Sequence, residues 1–172
     1  DLLITLLQHA DRVRSASLAQ LVNVIGPIMT EPGGPAWRQT TFFPFSITSR
    51  LAGERVVPLM VESPTFTSSR FGEVAAVNAV ATVGDDGSVG VFAVNRSVGE
   101  GTEVRIDLSE IAGAAGLTVL EAHLLHDDDR YAANTLDDRE RVRVRRIEGI
   151  RVEGGVLTLT LPAVSWVAVR LA

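Results

Sequence analysis

The feature that most constrains this chain is a change in the spacing of its apolar residues near position 56. Beyond that point apolar residues recur at every second position in short runs, which is the period of a β-strand with one buried face. In the run 104–108, with the sequence VRIDL, the apolar residues fall on one face and the charged residues on the other. Before position 56 the spacing is mostly helical. The chain therefore joins two architectures.

The β-rich part is predicted to form eight short strands. The predicted strands are 56–61, 74–83, 89–95, 103–108, 117–125, 141–147, 156–161 and 166–171. Glycine-rich turns separate several of them, at 84–87, 99–101 and 153–155. Short strands with regular turns are typical of antiparallel sandwiches, so we predict an antiparallel β-sandwich of jelly-roll type over residues 56–172.

The first part of the chain has the pattern of one α/β unit. The residues predict a helix over 1–10, a buried parallel strand over 13–24 and a helix over 40–52, with Pro44 in the first turn of the second helix. These elements are apolar on more than one face and too few to cover one another, so they need partners from a longer protein. A loop after the carboxyl end of a parallel strand is where a (β/α)8 barrel displays its site. We therefore predict that residues 1–55 are the last part of such a barrel.

The loop between the predicted strand and the second helix contains the residues best suited to binding. Its glycines and prolines predict irregular backbone. Trp37 offers a flat apolar face for a sugar ring, and Gln39 offers a donor and an acceptor for hydroxyl groups. The structural alternative is that Trp37 packs on the barrel rim while Glu31 and Arg38 form an ordinary ion pair. The residues leave both interpretations open.

Composition argues against several other functions. The chain has no cysteine, which excludes disulfides and thiolate metal sites. Its net charge of -5 argues against a nucleic-acid partner. Charged residues at 11, 12 and 14 interrupt its most apolar third, so we expect no membrane-spanning helix. No signal peptide is recognisable, and we expect a cytoplasmic protein.

The acidic and histidine residues do not form a convincing metal site. The Asp-Asp-Gly sequence at 85–87 resembles part of a calcium loop, but the twelfth position from Asp85 is an arginine, so a hairpin turn is favoured. The acidic run 127–129 is more typical of a solvated loop than of a cation site. His123 and His126 are three apart in a predicted strand and would face opposite sides of the sheet. We predict no metal and no cofactor.

Several segments carry a resemblance to a known family. They are residues 19–31 (AQLVNVIGPIMTE), 37–40 (WRQT), 42–45 (FFPF), 134–135 (NT) and 161–166 (LPAVSW). In these segments the sequence resembles the C-terminal portion of the α-L-arabinofuranosidases of glycoside hydrolase family 51. The resemblance covers most of the chain.

The resemblance implies a fold and an activity. It implies the last unit of a (β/α)8 barrel fused to a C-terminal sandwich, in an enzyme that is often a homo-oligomer. It also implies retaining hydrolysis that releases terminal α-L-arabinofuranosyl residues from hemicellulose, pectin or oligosaccharides. The two catalytic glutamates of such an enzyme are expected upstream of Asp1, in the remaining N-terminal barrel portion. No catalytic residue is therefore assigned in this chain.

The resemblance also implies roles for residues of the loop. Gln39 matches a substrate contact of the family and is expected to bind arabinose hydroxyls. Trp37, Asn23 and Glu31 are further candidates for lining or supporting that pocket. The alternative is a non-catalytic carbohydrate-binding or structural sandwich, in which residues 1–55 are only an attachment segment.

Overall fold

Two helices and thirteen strands are present in the computed structural model, which describes residues 1–111 and 113–172. The helices are α1 (Leu2–Gln8) and α2 (Phe42–Leu51). The strands are β1 (Ile28–Thr30), β2 (Ala36–Arg38), β3 (Arg55–Val57), β4 (Thr65–Ser68), β5 (Gly72–Ala75), β6 (Val77–Val83), β7 (Val89–Asn95), β8 (Thr102–Asp107), β9 (Val119–Leu125), β10 (Val144–Arg146), β11 (Arg151–Glu153), β12 (Val156–Leu161) and β13 (Ser165–Leu171). A short 3-10 helix spans Ala114–Gly116.

Two sheets enclose the main core. The six-stranded sheet has the order β10-β9-β13-β7-β6-β3, and the three-stranded sheet has the order β11-β12-β8. All neighbouring strands within them pair antiparallel. One buried apolar cluster contains Val91 and Val169 from the first sheet and Ile106 and Leu159 from the second. The predicted antiparallel β-sandwich is thus confirmed, while its jelly-roll connectivity stays a prediction.

The central strands of the six-stranded sheet are buried on both faces. On β13, Val167 and Val169 face the other sheet, whereas Trp166 and Ala168 belong to a second buried cluster. Phe92 on β7 is also in that second cluster. Strands covered on both faces need apolar residues on both, which explains the nearly continuous apolar runs in these segments. By contrast, β8 buries only alternate residues, as its sequence predicts.

The two helices cover the outer face of the six-stranded sheet. Ile4 of α1 and Leu51 of α2 are buried in the second cluster. The predicted second helix is confirmed at Phe42–Leu51, with Pro44 in the first turn, where a missing N–H costs little. The C-terminal end of α2 lies so close to the sheet that a Cβ atom at Gly90 would be 2.5 Å from the Leu51 carbonyl oxygen. A glycine is therefore required at position 90 for this packing.

The predicted buried strand over 13–24 is wrong in this structure. These residues form loops and turns, and their one ladder contact among the described residues is an isolated parallel bridge between Val22 and Ile28. A parallel strand needs hydrogen-bonded neighbours, and only Ile28 plays that part. Leu21 accordingly stays 73% exposed. The barrel unit itself is not visible in the described residues.

The structure also contains strands that periodicity missed. These are β1, β2, β4 and β11, each of three or four residues, while the predicted strand 74–83 is divided into the end of β5 and the whole of β6. Runs this short carry too few positions to show a period. The predicted domain boundary after residue 55 stays a prediction, and β3 (Arg55–Val57) runs across it. Neither helix, in the part of the chain described, has the length and apolar character needed to cross a bilayer.

Candidate functional site

The glycine- and proline-rich loop is more regular than its sequence predicts, because it contains a β-hairpin. Strands β1 and β2 pair with Met29 opposite Trp37. The turn between them is closed by a hydrogen bond from the Glu31 N–H to the Pro35 carbonyl oxygen, at 3.0 Å. Gly33, at φ +67°, lies in the left-handed region that this turn requires. The prediction of irregular backbone was therefore wrong for the two arms of the hairpin.

Asn23 closes the turn that leads into this hairpin. Its Oδ1 accepts a hydrogen bond from the Thr30 N–H at 2.7 Å, and its Nδ2 donates to the Thr30 hydroxyl oxygen at 2.9 Å. The backbone at Asn23 and Val24 is left-handed, with φ of +59° and +52°. Asparagine tolerates that conformation well and a β-branched valine tolerates it poorly. In this structure Asn23 supports the loop.

Trp37 and Gln39 are anchored to the same backbone atom of the sandwich. The Trp37 Nε1–H donates to the carbonyl oxygen of Asn134 at 3.1 Å. The Gln39 Nε2 donates to that same oxygen at 3.2 Å. A carbonyl oxygen has two lone pairs and can accept both bonds. Asn134 thus brings the two main candidate residues together.

The side chain of Asn134 fastens the loop in a second way. It is 2% exposed, and its Nδ2 donates to the carbonyl oxygens of Arg38 at 2.8 Å and Val142 at 2.9 Å. Its Oδ1 accepts the Val142 N–H at 2.7 Å. Sequence reasoning did not assign this residue a place in the site. The only signal was the Asn134-Thr135 pair within the family-like segments, since contacts across 96 residues leave no local pattern.

Glu31 and Arg38 do not form the ion pair of the structural alternative. Among the ion pairs of residues 1–111 and 113–172, none joins these two side chains. The Arg38 guanidinium instead lies 4.9 Å from the centre of the Phe42 ring, a favourable cation–π arrangement. Glu31 is exposed in the turn of the hairpin.

An open cavity of about 610 Å³ lies beside the hairpin. Its lining includes Trp37, Phe43, Arg139, Glu140 and Arg143. Aromatic faces combined with a few charged groups suit a polar ring such as a sugar. Of the four residues predicted for the site, Trp37 alone lines this cavity, so the structure does not bring all four together in one pocket.

A charged cluster ties α2, which follows the loop, to β9. Arg50 donates two hydrogen bonds to the Glu121 carboxylate, at 2.9 and 3.0 Å, and His123 Nε2 lies 2.8 Å from the same carboxylate. The hydrogen bond from Arg50 and, to a smaller extent, the contact with His123 together lower the pKa of Glu121 to about 2. The same bond raises the pKa of Arg50. This cluster helps to hold the helix, and hence the loop before it, against the sheet.

The acidic run 127–129 is held by an arginine. Asp127 accepts hydrogen bonds from Arg141 Nε and Nη2 at 3.1 and 3.2 Å. The Arg141 contact lowers the pKa of Asp127 to about 2, with a further contribution from the Asp129 backbone. Within the described ranges, no group of three or more metal-binding side chains is placed to hold an ion. The Asp-Asp-Gly sequence at 85–87 forms the predicted turn, between β6 and β7.

Comparison with known proteins gives a consistent picture. A model of the α-L-arabinofuranosidase C-terminal domain matches residues 1–165. An exo-α-(1→6)-L-arabinofuranosidase of Bifidobacterium longum is 51% identical over 174 residues, covering 99% of this chain and 33% of that protein. An intracellular exo-α-(1→5)-L-arabinofuranosidase of Streptomyces lividans is 48% identical over 172 residues, covering 100% of this chain and 26% of that protein.

The fold of a solved relative agrees. A family 51 α-L-arabinofuranosidase from Bifidobacterium longum superposes with a TM-score of 0.92 at 44% identity, over 99% of this chain and 33% of that one. The chain thus spans about a third, or less, of the length of these relatives. With a matching family model and closely similar relatives along its whole length, the chain belongs to the α-L-arabinofuranosidases of glycoside hydrolase family 51, as their C-terminal domain.

Proposed function

We propose that this chain is the C-terminal part of a retaining glycoside hydrolase. The complete enzyme releases terminal α-L-arabinofuranosyl residues from hemicellulose, pectin or oligosaccharides. The observation that carries the proposal is the 51% identity, across 99% of the chain, to a protein named as an exo-arabinofuranosidase. The Streptomyces lividans relative is named intracellular, and we extend a cytoplasmic location to this enzyme.

In this proposal residues 1–55 complete the last unit of a (β/α)8 barrel, and residues 56–172 form the accessory sandwich. Apolar side chains of the first part support the idea, because Val24 is 81% exposed and Ile25 is 69% exposed. Exposed apolar residues clustered in one segment indicate a contact surface. The remaining N-terminal barrel portion is the partner that covers them, and the complete enzyme forms a homo-oligomer.

The loop contributes to the pocket for the terminal sugar. Gln39 donates one N–H to Asn134 and keeps its other N–H and its Oε1 for arabinose hydroxyls. Trp37 presents a ring face to the sugar, while Asn23 supports the loop and Glu31 lies at its turn. Two glutamates from the N-terminal portion act as acid/base and nucleophile, about 5 Å apart, as retaining glycosidases require.

The non-catalytic alternative gains no support from the packing. If residues 1–55 were only an attachment segment, they would not be expected to share a core with the sandwich. Ile4 and Leu51 instead lie in one buried cluster with Val80, Phe92 and Trp166.

The test is an assay of the complete protein on an aryl α-L-arabinofuranoside. We expect hydrolysis with release of the α-anomer first, detected by proton NMR, because two displacements retain the configuration. The 172-residue chain alone should be inactive, since both carboxylates lie elsewhere. Hydrolysis by the chain alone, or first release of the β-anomer, would contradict the proposal.

The variant Gln39→Ala tests the site. It should remove one or two hydrogen bonds to the sugar, weakening transition-state binding by about 1–3 kcal/mol for each bond. Thr41→Ala, at an exposed position two residues after Gln39 whose side chain makes no cap hydrogen bond to α2, is the control for general damage to the loop. Unchanged kinetics in Gln39→Ala would remove this residue from the pocket.

A further inference from the structure

We infer that Asn134, a residue of the sandwich, is the positioning residue that sets the sugar-binding geometry of Gln39 and Trp37. The inference rests on the proposed function of this loop. It gives the sandwich a direct part in substrate binding, although Asn134 itself lies beneath the residues that would touch the sugar.

The backbone carbonyl of Asn134 determines how the Gln39 amide is turned. A carbonyl oxygen can only accept hydrogen bonds, so the NH2 group of Gln39 must face it, as the 3.2 Å contact shows. The Oε1 atom of Gln39 is left free to accept a hydrogen bond from a sugar hydroxyl. The 3.1 Å bond from Trp37 Nε1 to the same oxygen limits rotation of the indole ring. One oxygen atom thus orients both side chains.

The position of that carbonyl is in turn set by the Asn134 side chain. Its amide spans from the Arg38 carbonyl oxygen, in the loop, to both backbone polar groups of Val142. The two bonds to Val142 are buried and the bond to Arg38 is partly buried, and buried hydrogen bonds are costly to leave unmade. The segment that carries Val142 is also held at its neighbour, because Arg141 binds Asp127. The segment to which the Asn134 side chain is bonded is therefore itself held in place.

The chain contains a matched control in Asn95. It is 1% exposed, and its Nδ2 donates to the carbonyl oxygens of Glu100, Leu161 and Pro162. Its Oδ1 accepts the Ser97 N–H at 2.9 Å. Asn95 therefore has the burial and bonding of Asn134, but none of these bonds reaches the loop. Replacing it measures the cost of losing a buried asparagine without disturbing Gln39.

The experiment compares variants of the complete enzyme on an aryl α-L-arabinofuranoside. We expect Asn134→Ala and Gln39→Ala each to lower kcat/KM about tenfold, the effect of one lost hydrogen bond to the transition state. Asn95→Ala should stay within about twofold of the wild type at a temperature where all variants are folded. If Asn134 had a purely structural role, Asn134→Ala would change kcat/KM as little as Asn95→Ala does.

The double variant of Asn134→Ala and Gln39→Ala distinguishes the two roles, because substitutions at residues that act as a unit do not have additive effects on kcat/KM. If Asn134 works mainly through Gln39, with a smaller part through Trp37, the double variant should be within about threefold of Gln39→Ala alone. A fall of about a hundredfold, or wild-type kinetics in Asn134→Ala, would overturn the inference and leave the proposed site intact. Wild-type kinetics in Gln39→Ala would instead overturn the site, and the inference with it.

Asn134→Ser covers the case in which Asn134→Ala does not fold. Serine keeps one donor and one acceptor at this position, so its kcat/KM should lie between those of the wild type and Gln39→Ala. Combined with Gln39→Ala, it should again add little. An additive effect of serine would count against the inference as clearly as an additive effect of alanine.

Discussion

The six-stranded sheet and the segment before it satisfy their polar and apolar groups in different ways. In the centre of the sheet, β6, β7 and β13 pair along their full lengths and bury side chains on both faces. In residues 13–24, backbone pairing is reduced to one bridge and several apolar side chains face solvent. The difference teaches that the sheet finds its partners within this chain, whereas the segment does not. Its apolar residues fit a surface that the rest of a larger protein would cover.

The largest difference between the two regions should appear when one apolar side chain in each is truncated. Phe92 is 0% exposed between the sheet and the helices, so Phe92→Ala should lower the free energy of unfolding by about 3–5 kcal/mol. Leu21→Ala, in the exposed segment, should change it by less than about 0.5 kcal/mol in the 172-residue chain. Urea titration of both variants measures the difference. Equal losses would mean that the two regions are not packed differently.

A medium effect is expected where the connection between α2 and β3 packs on the six-stranded sheet. The Thr82 hydroxyl accepts the Gly53 N–H at 2.9 Å, and Thr82 is fully buried. Thr82→Val keeps the shape but leaves that N–H without its acceptor, which should cost about 1–3 kcal/mol of unfolding free energy. Thr160→Val, at an exposed position on β12, is the matched control and should stay within about 0.5 kcal/mol. A loss as small as the control's would mean that this bond does not hold the connection between α2 and β3 to the sheet.

The smallest effect should come from the charged cluster between α2 and β9. The pKa of Glu121 is lowered from its ordinary value of 4.5 to about 2. Its contribution to stability is therefore complete above pH 4.5 and is lost as the pH falls toward 2. Because Arg50 is mostly exposed, Glu121→Gln should cost only about 0.2–1 kcal/mol at neutral pH.

The measurement is the difference in unfolding free energy between the wild type and Glu121→Gln across that pH range. The difference should shrink on acidification. Glu103→Gln, at an exposed position on β8, is the control for replacing a surface carboxylate and should change the unfolding free energy at neutral pH by less than about 0.5 kcal/mol. A difference that grows as the pH falls would have the wrong sign for a lowered carboxyl pKa.

Sequence patterns predicted those parts of the fold in which each residue's environment follows from its neighbours. The predicted limits of the strands at 89–95 and 156–161 agree with β7 and β12. The helix with Pro44 in its first turn was also recovered. The prediction of a strand over 13–24 was wrong for a different reason. An apolar pattern shows only that a segment could be buried in a sheet, and the described chain offers this segment almost no strand to pair with.

The candidate site divides in the same way. The residue types at positions 37 and 39 were enough to suggest a sugar-binding loop, because an indole face can pack against a sugar ring and an amide can bond its hydroxyl groups. Whether they belong together could not be read from the sequence. The structure joins them through Asn134, which lies 97 residues after Trp37 and 95 residues after Gln39.

By itself, then, the sequence determined the β-rich class of the chain, the periods of its main strands and the chemical types of the loop residues. Those properties depend on side chains a few positions apart. Only the tertiary structure decided which sheet is covered twice, that α1 and α2 share its core, and that one buried asparagine holds the loop. Such contacts arise when distant segments meet, and the hydrogen bonds that fix them leave no periodic trace in the chain.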